Sequence, residues 1–473
     1  MNKYVTCKGT ERYYPFFLKK VQQELKKKGY ELFYIFFTDL FDNDDLIDNK
    51  IKYNKDKYSI LSKNELTNEA ERIERDYGFT FKQAYFPDIV QTSPDQNMRK
   101  ISVPEKEFNN IENLISKFLF LENIILMQGF DIIFSDVSPE VEMEFGRAIG
   151  YRYNKLVLKL NEGSALGRTV FLQLFDFGKD RLVEAIYNKD FTYNDAKLFC
   201  DDFIRNKRLP YIYPPVNSDH KTLTKSILNK FTNIDPRLYI IRFFYLLIKF
   251  IKNNIFKFYL WMEEIIIKPL IEDSYEPDLP YLFMGFHLNQ ESTMVLRSLP
   301  YVNQTALIEM ISRVLPYKYY LYVREHPHWT KTFPANYLAK VKKFPNVRLI
   351  SNKISIHQII RNSKGILTYN ATTAIEALIY GKPVLSFASN IYFKHHPGVD
   401  YCEDLFELGK KLSELVNRKI TDSDTYNYIL KLNQVSNEFL FGSNYFLSEI
   451  QAYEIAIKFV THFDLAINWT LNN

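Results

Sequence analysis

The sequence predicts an α/β protein of two Rossmann-like domains, each a parallel, doubly wound sheet, the two facing a central cleft. Three observations carry this expectation. At 473 residues the chain exceeds what one hydrophobic core supports, so two domains of roughly 200 to 250 residues follow. From Tyr281 onward short apolar runs alternate strictly with helical patterns, the signature of a parallel sheet covered by helices. The N-terminal half carries two fragments of the same kind, one near its start and one around 131–160.

Taken in order, Phe17, Leu18, Val21 and Leu25 recur at helical spacing, Gly29 stops that helix, and 31–37 (ELFYIFF) is a compact buried strand. Residues 40–120 are charged and irregular, and their pattern does not place elements well. Order returns with a strand at 131–134, a polar loop at 135–139, a helix opened by that loop, the strand KLVLKL and the loop 161–168 (NEGSALGR). From 236 to 270 the chain is helical, aromatic and basic, with Arg237, Arg242, Lys249, Lys252, Lys257 and Lys268 among Phe, Tyr, Ile and Leu. That segment reads either as a pair of core helices bridging two domains or as a helix on the inner face of a membrane. The acidic, proline-bearing stretch 271–280 marks a boundary. Beyond it come strands at 281–286, 319–323, 346–350, 365–369 and 383–387, separated by helices at 306–315, 335–342, 356–362 and 373–380, the last stopped by Gly381. The division expected is an N-terminal domain at 1–275 that includes 236–270, a C-terminal domain at 276–450, and a last helix at 451–473 packing back on the N-terminal domain.

Charge and cysteine usage narrow the function. Lys plus Arg number 61 against 56 Asp plus Glu, a net +5 that suits a phosphate-bearing substrate or an anionic membrane surface and does not imply nucleic acid. Cys7, Cys200 and Cys402 are scattered and odd in number, which fits a reducing compartment and argues against a disulfide framework. No signal-peptide run opens the sequence, and no stretch reaches the roughly 20 apolar residues of a membrane span. A cytoplasmic location, with peripheral contact to the inner membrane face, is expected.

In an open parallel sheet ligands sit beyond the carboxyl ends of the strands. That rule selects the loops HLNQEST, REHPHW, YNATTAIE and ASNIYFKHH, which hold five of the eight histidines: His287, His326, His328, His395 and His396. Pro327 fixes the turn after His326, an imidazole suited to donate to a phosphate oxygen or, alternatively, a loop histidine bonded to a carbonyl. Asn370, Ala371, Thr372 and Thr373 open a helix whose backbone N–H groups suit a phosphate. Glu376 lies one turn inside, where a carboxylate accepts both ribose hydroxyls; Thr373 and Glu376 also spell a capping box that needs no ligand. The histidine pairs lack the carboxylate or cysteine company of a metal site, and Asp42-Asn43-Asp44 is too short a motif to mark one, so no metal is expected.

The stretches LPYLFMGFHLNQEST, YVNQTALIEMI, YLYVREHPHW, FPNVRLIS and IHQIIRNSKGILTYNATTAIEALIYGKPVLSF run in one order over about 120 residues. This region resembles the bacterial capsule polysaccharide biosynthesis family, glycosyltransferases of GT-B architecture that include the β-Kdo transferases. GTERYYPFF, IIFSDVSPEVE and the GR of NEGSALGR extend a looser similarity into the N-terminal half. The resemblance implies sugar transfer from a nucleotide-activated, CMP-linked donor to a glycan or lipid-linked acceptor, with no further cofactor and with other capsule-assembly proteins as neighbours. It implies donor-binding roles for His326, Pro327, Asn370, Ala371, Thr372, Thr373 and Glu376; His287, Glu325 and Lys382 are further donor-site candidates, and Arg168 is a candidate on the acceptor side or in the cleft. His326 would also act catalytically, and Asp136 or Glu140 would activate the acceptor from across the cleft. The chain departs from the family in lacking a glycine often present in the YNATTAIE loop and in its short first strand. Nucleotide-sugar 2-epimerases and polyol-phosphate polymer transferases share the scaffold, and a non-catalytic assembly subunit is the alternative of another class.

Overall fold

The structure is a computed structural model that describes residues 3–8, 15–37, 48–53, 61–81, 108–135, 141–163, 168–174, 180–207, 268–287, 301, 303–325, 335–369, 371–388, 396–437 and 449–473, with six further residues between 255 and 266. Two sheets organise it.

The N-terminal sheet has the order β3-β2-β1-β4-β5-β6-β7. Its strands β1 (Lys3–Lys8), β2 (Tyr30–Phe36), β3 (Lys50–Lys52), β4 (Ile132–Ser135) and β5 (Leu156–Gly163) are mutually parallel. Beyond the expected parallel part, β6 (Arg168–Leu174) and β7 (Asp180–Leu182) add an antiparallel edge. The segment NEGSALGR, read as a loop, is therefore partly the tip of a hairpin, with Gly163 paired to Arg168. β6 is buried along most of its length, whereas β7 at the edge buries only Leu182.

Helix α1 (Pro15–Lys27) buries Phe17, Leu18, Val21 and Leu25 against this sheet. Within residues 40–120 the structure places α2 (Lys63–Tyr77) and α3 (Phe108–Gln128). A Ser62/Glu65 capping box starts α2, and Gly78 at φ +69° ends it. Helix α4 (Val141–Arg152) approaches β4 and β5 closely enough that a Cβ on Gly150 would lie 2.3 Å from a Val157 methyl. Phe79, Phe81, Phe118 and Phe145 form one ring cluster, in which Phe81, Phe118 and Phe145 meet edge to face and Phe79 stacks on Phe145.

The C-terminal sheet is wholly parallel, in the order β10-β9-β8-β11-β12-β13. Its members are β8 (Tyr281–Gly285), β9 (Tyr320–Arg324), β10 (Val347–Leu349), β11 (Gly365–Thr368), β12 (Val384–Ser386) and β13 (Val399–Tyr401). Between them run α6 (Gln304–Val314), α7 (Ala335–Lys342), α8 (Ile356–Asn362) and α9 (Thr373–Ile379), followed by α10 (Leu408–Leu415) and α11 (Asp422–Gln434). Each expected strand and helix of this half is present, with ends displaced by at most two residues.

The halves are joined by more than the chain. Helix α5 (Tyr193–Asn206) packs against α11, and the N–H groups of Tyr187 and Asn188 both donate to the Gln434 carbonyl. Thr169, on the antiparallel hairpin, exchanges backbone hydrogen bonds with Asn437 at 2.9 and 2.7 Å. The final helix, α12 (Glu449–Asn472), lies along α1 and inserts Phe459 and Phe463 against Phe134.

Candidate functional site

The order of the C-terminal sheet reverses at β8, from which the chain first winds outward through β9 and β10 and then returns to β11 on the other side. At such a switch point the loops leaving adjacent strands diverge, and a crevice opens at their carboxyl ends. His287 follows β8 and Thr368 ends β11, so both stand at this point. Their Nε2 and Oγ1 atoms are 3.3 Å apart, and the imidazole meets the Tyr369 ring edge on, with centroids 5.0 Å apart.

The floor beneath these groups is tied down. Gln304, the fully buried first residue of α6, accepts from the His287 N–H at 2.9 Å and donates to the His287 carbonyl at 2.8 Å. The Tyr369 hydroxyl donates to the Tyr301 carbonyl, and the Ser386 hydroxyl donates to the carbonyl of Tyr369. Ala371 N–H donates to Thr368 Oγ1 at 3.2 Å. A site so braced holds its side chains in place before a ligand arrives.

In the turn after β11 fewer amides stay open than the sequence suggests. The N–H groups of Ala374, Ile375 and Glu376 turn back to the carbonyls of Ala371 and Thr372. Those of Thr372 and Thr373 are taken by no described residue. The capping box also fails to form: Thr373 is already helical, and Thr372 at the N-cap makes no side-chain bond. Thr192/Asp195 and Thr421/Asp424 form this box, which holds each acid below the usual carboxylate range.

Glu376 is thereby left over. The residue is 7% exposed, its carboxylate bonds to no described side chain, and burial pushes its pKa up to about 7. Arg324, at the end of β9, is equally buried; its Nε donates to Asn352 at 2.6 Å and its Nη1 to the Ile354 carbonyl at 2.8 Å. Among the described residues no carboxylate accompanies this guanidinium, and burial lowers its pKa. Arg324 and Glu376 are thus a buried cation and a buried acid, each without an opposite charge among the described residues.

Other expected residues fall elsewhere. Lys382 lies past the far end of α9, its N–H bonded to the Ala377 carbonyl and its ammonium near Lys364 and Arg361. That is the opposite edge of the sheet from His287, so Lys382 does not join the donor site. Arg168 opens β6 at the carboxyl edge of the N-terminal sheet, next to the Thr169–Asn437 junction. Glu325 is half-buried directly after β9. Asp136, Glu140, His326, Pro327, His328, Asn370, His395 and the Asp42–Asp44 motif lie outside the described residues. His396 is structural: Nδ1 accepts from Gly398 N–H at 2.8 Å and Nε2 lies 3.3 Å from Thr425 Oγ1. Among the described residues no group of three His, Cys, Asp or Glu is placed to hold a metal.

Residues 302–405 match the capsule polysaccharide biosynthesis protein family. The capsule-family stretch spans α6 to β13 and contains Gln304, Arg324, Thr368 and Glu376. No curated protein sequence matches the chain. Among solved structures it is similar to the UDP-GlcNAc 2-epimerase of Methanocaldococcus jannaschii, at 11% identity over 90% of this chain and 98% of that one, with a TM-score of 0.25. It is also similar to two β-Kdo transferases, KpsC, of Thermosulfurimonas dismutans. The 2,7 transferase shows 12% identity over 73% of this chain and 95% of that one, TM-score 0.32. The 2,4 transferase shows 11% identity over 64% and 79%, TM-score 0.34.

Gln304 and Arg324 are the supports that the sequence reading omitted. Asn303 is visible as an N-cap, but nothing local shows that the next side chain reaches back 17 positions to His287.

Proposed function

We propose that this chain is a glycosyltransferase that moves a sugar from a nucleotide-activated donor to a capsule or surface-polysaccharide acceptor. The observation that carries it is the Glu376 carboxylate, buried and unpartnered among the described residues, one turn beyond the β11 loop in the family-matched stretch. A ribose presents two adjacent hydroxyls that donate to the two carboxylate oxygens, favouring the ionised form and offsetting its desolvation. His287 beyond β8 and the Thr372 and Thr373 amides at the start of α9 are the candidate contacts for the phosphate. In the transfer step the acceptor oxygen attacks the anomeric carbon as the bond from that carbon to the phosphate oxygen breaks. The hydroxyl proton passes to a carboxylate, for which Asp136 and Glu140 are the candidates, and the nucleotide leaves with the bonding electron pair, stabilised by His326. A CMP-linked, Kdo-like donor is the finer reading, supported by the resemblance of the sequence to a family that includes β-Kdo transferases.

A thermal-shift panel of CMP, CDP, UDP, GDP and their sugar conjugates tests this. A CMP-selective response, lost in His326→Ala, supports it. Conversion of a UDP-sugar without any acceptor overturns it in favour of an epimerase, and binding without turnover overturns it in favour of an assembly subunit.

A further inference from the structure

We propose that His357 is a latch that fastens α5 to the C-terminal half, closed while its imidazole is neutral and released when the ring becomes charged. In sequence α5 follows β7, an edge strand of the N-terminal sheet, yet its buried face lies on the other half of the chain. Ala196, Cys200 and Phe203 recur at helical spacing along that face. Near its start α5 meets α11, where the Tyr193 and Tyr426 rings touch edge to face at 5.7 Å. Near its end Phe203, 1% exposed, meets His357 of α8 and Tyr380 at the end of α9, with ring centroids 5.7 and 5.5 Å apart.

The third side of this triangle is polar. The His357 and Tyr380 rings lie 6.1 Å apart, and the Tyr380 hydroxyl is 3.3 Å from Nδ1 of the imidazole. The backbone of Lys207, the left-handed cap of α5, favours a proton on the ring, as an accepting carbonyl does. That leaves Nδ1 of the neutral ring to accept from Tyr380. An imidazolium carries a proton on both nitrogens, so it accepts nothing and the bond to the hydroxyl is lost.

The surroundings oppose that charge. Burial acts first against it, and Lys207 from α5 and Arg324 from β9 add two positive charges, so together they hold the imidazole below its ordinary range. From α9 the ring faces Tyr380, which itself feels Glu376 of that helix and Arg361 of α8. Glu376 is the acid of the group, and burial keeps it protonated up to about pH 7, so it supplies no balancing charge as the imidazole titrates. The closed latch therefore binds the proton less tightly than the open one. Its hold is complete above pH 6.5 and weakens as pH falls below that value. Both buried charges of the candidate site depend on the helices beneath α5: α9 carries Glu376, and α8 opens beside Ile354, whose carbonyl accepts from Arg324. This inference does not depend on the sugar-transfer reading.

The test is hydrogen–deuterium exchange of the full chain at pH 7.5 and pH 5, corrected for the intrinsic rate at each pH, with α1 and α12 as internal controls. In the wild type α5 should exchange about fivefold faster at pH 5 than at pH 7.5, relative to those controls. His357→Asn, whose amide oxygen still accepts from Tyr380 and never becomes charged, should keep α5 equally protected at both pH values. Tyr380→Phe removes the hydroxyl and keeps the ring, and should speed exchange of α5 already at pH 7.5. Full protection of wild-type α5 at pH 5, a loss shared by α1 and α12, or the same acid response in His357→Asn overturns the proposal. Should His357→Asn fail to fold, unchanged exchange of α5 in Tyr380→Phe overturns it alone.

Discussion

Replacing Glu376 with Gln is expected to stabilise the free protein while removing its hold on nucleotide. In the fold the carboxyl pKa rises from an ordinary 4.5 to about 7 through burial. Between those values the folded state binds the proton more tightly than the unfolded state, so stability is full below pH 4.5 and falls as pH rises through 7. At about 1.36 kcal/mol for each tenfold change in proton affinity, the ionised side chain costs the fold about 3 kcal/mol above pH 8. Burying the Gln amide takes back about 1 kcal/mol, which leaves a gain of about 2 kcal/mol at pH 8 and little change at pH 5. Thermal midpoints of wild type and Glu376→Gln at both pH values read this directly, with an expected rise of a few degrees at pH 8 only. A variant that loses stability equally at pH 5 and pH 8 would refute the reasoning, because Glu376 would then be a satisfied structural acid.

Further outcomes follow from the same geometry. Gln304→Leu removes both hydrogen bonds from a buried side chain to the His287 backbone, and should lower stability by about 2 to 4 kcal/mol and diminish the nucleotide-induced thermal shift. Gly150→Ala should cost about 1 to 3 kcal/mol by driving a methyl into Val157, measurable as a lower midpoint of chemical denaturation. Burial pushes the His396 pKa down to about 4, so the unfolded state takes the proton first. Stability should fall as pH drops from 6.5 to 4, and His396→Gln should flatten that part of the profile. Asp136→Asn or Glu140→Gln should lower turnover by about 10² to 10⁴ while nucleotide affinity, measured by calorimetry, stays unchanged.

Five strands of the C-terminal half were legible because each is a short, mostly apolar run set off by Pro, Gly or polar residues, a pattern that burial demands, whereas β13, the half-buried VDY, carries no such signal. The hairpin of β5 and β6 was not, because NEGSALGR carries the Gly and polar content of a loop although its outer residues pair. In 40–120 the signal for α2 was present in Ser62, Glu65 and Gly78, but the surrounding charge obscured the apolar stripe. His287 lies two residues beyond β8 and Glu376 in the helix after β11, so both fall in segments that the rule about carboxyl ends selects. Lys382 misled for a geometric reason: it is close to Glu376 in sequence but sits past the other end of a helix. Gln304, Arg324 and the contact of Phe203 with His357 and Tyr380 join distant parts of the chain, which no local pattern encodes.

Calorimetric titration with the nucleotide giving the largest thermal shift, alongside its 2′,3′-dideoxy form, bears most directly on Glu376 as the ribose holder. The ribonucleotide should bind wild type at least about tenfold more tightly than the dideoxy form, as two charge-assisted hydrogen bonds require, and Glu376→Gln should bind the two alike. Equal affinity in the wild type, or a preference that survives in Glu376→Gln, would contradict the account.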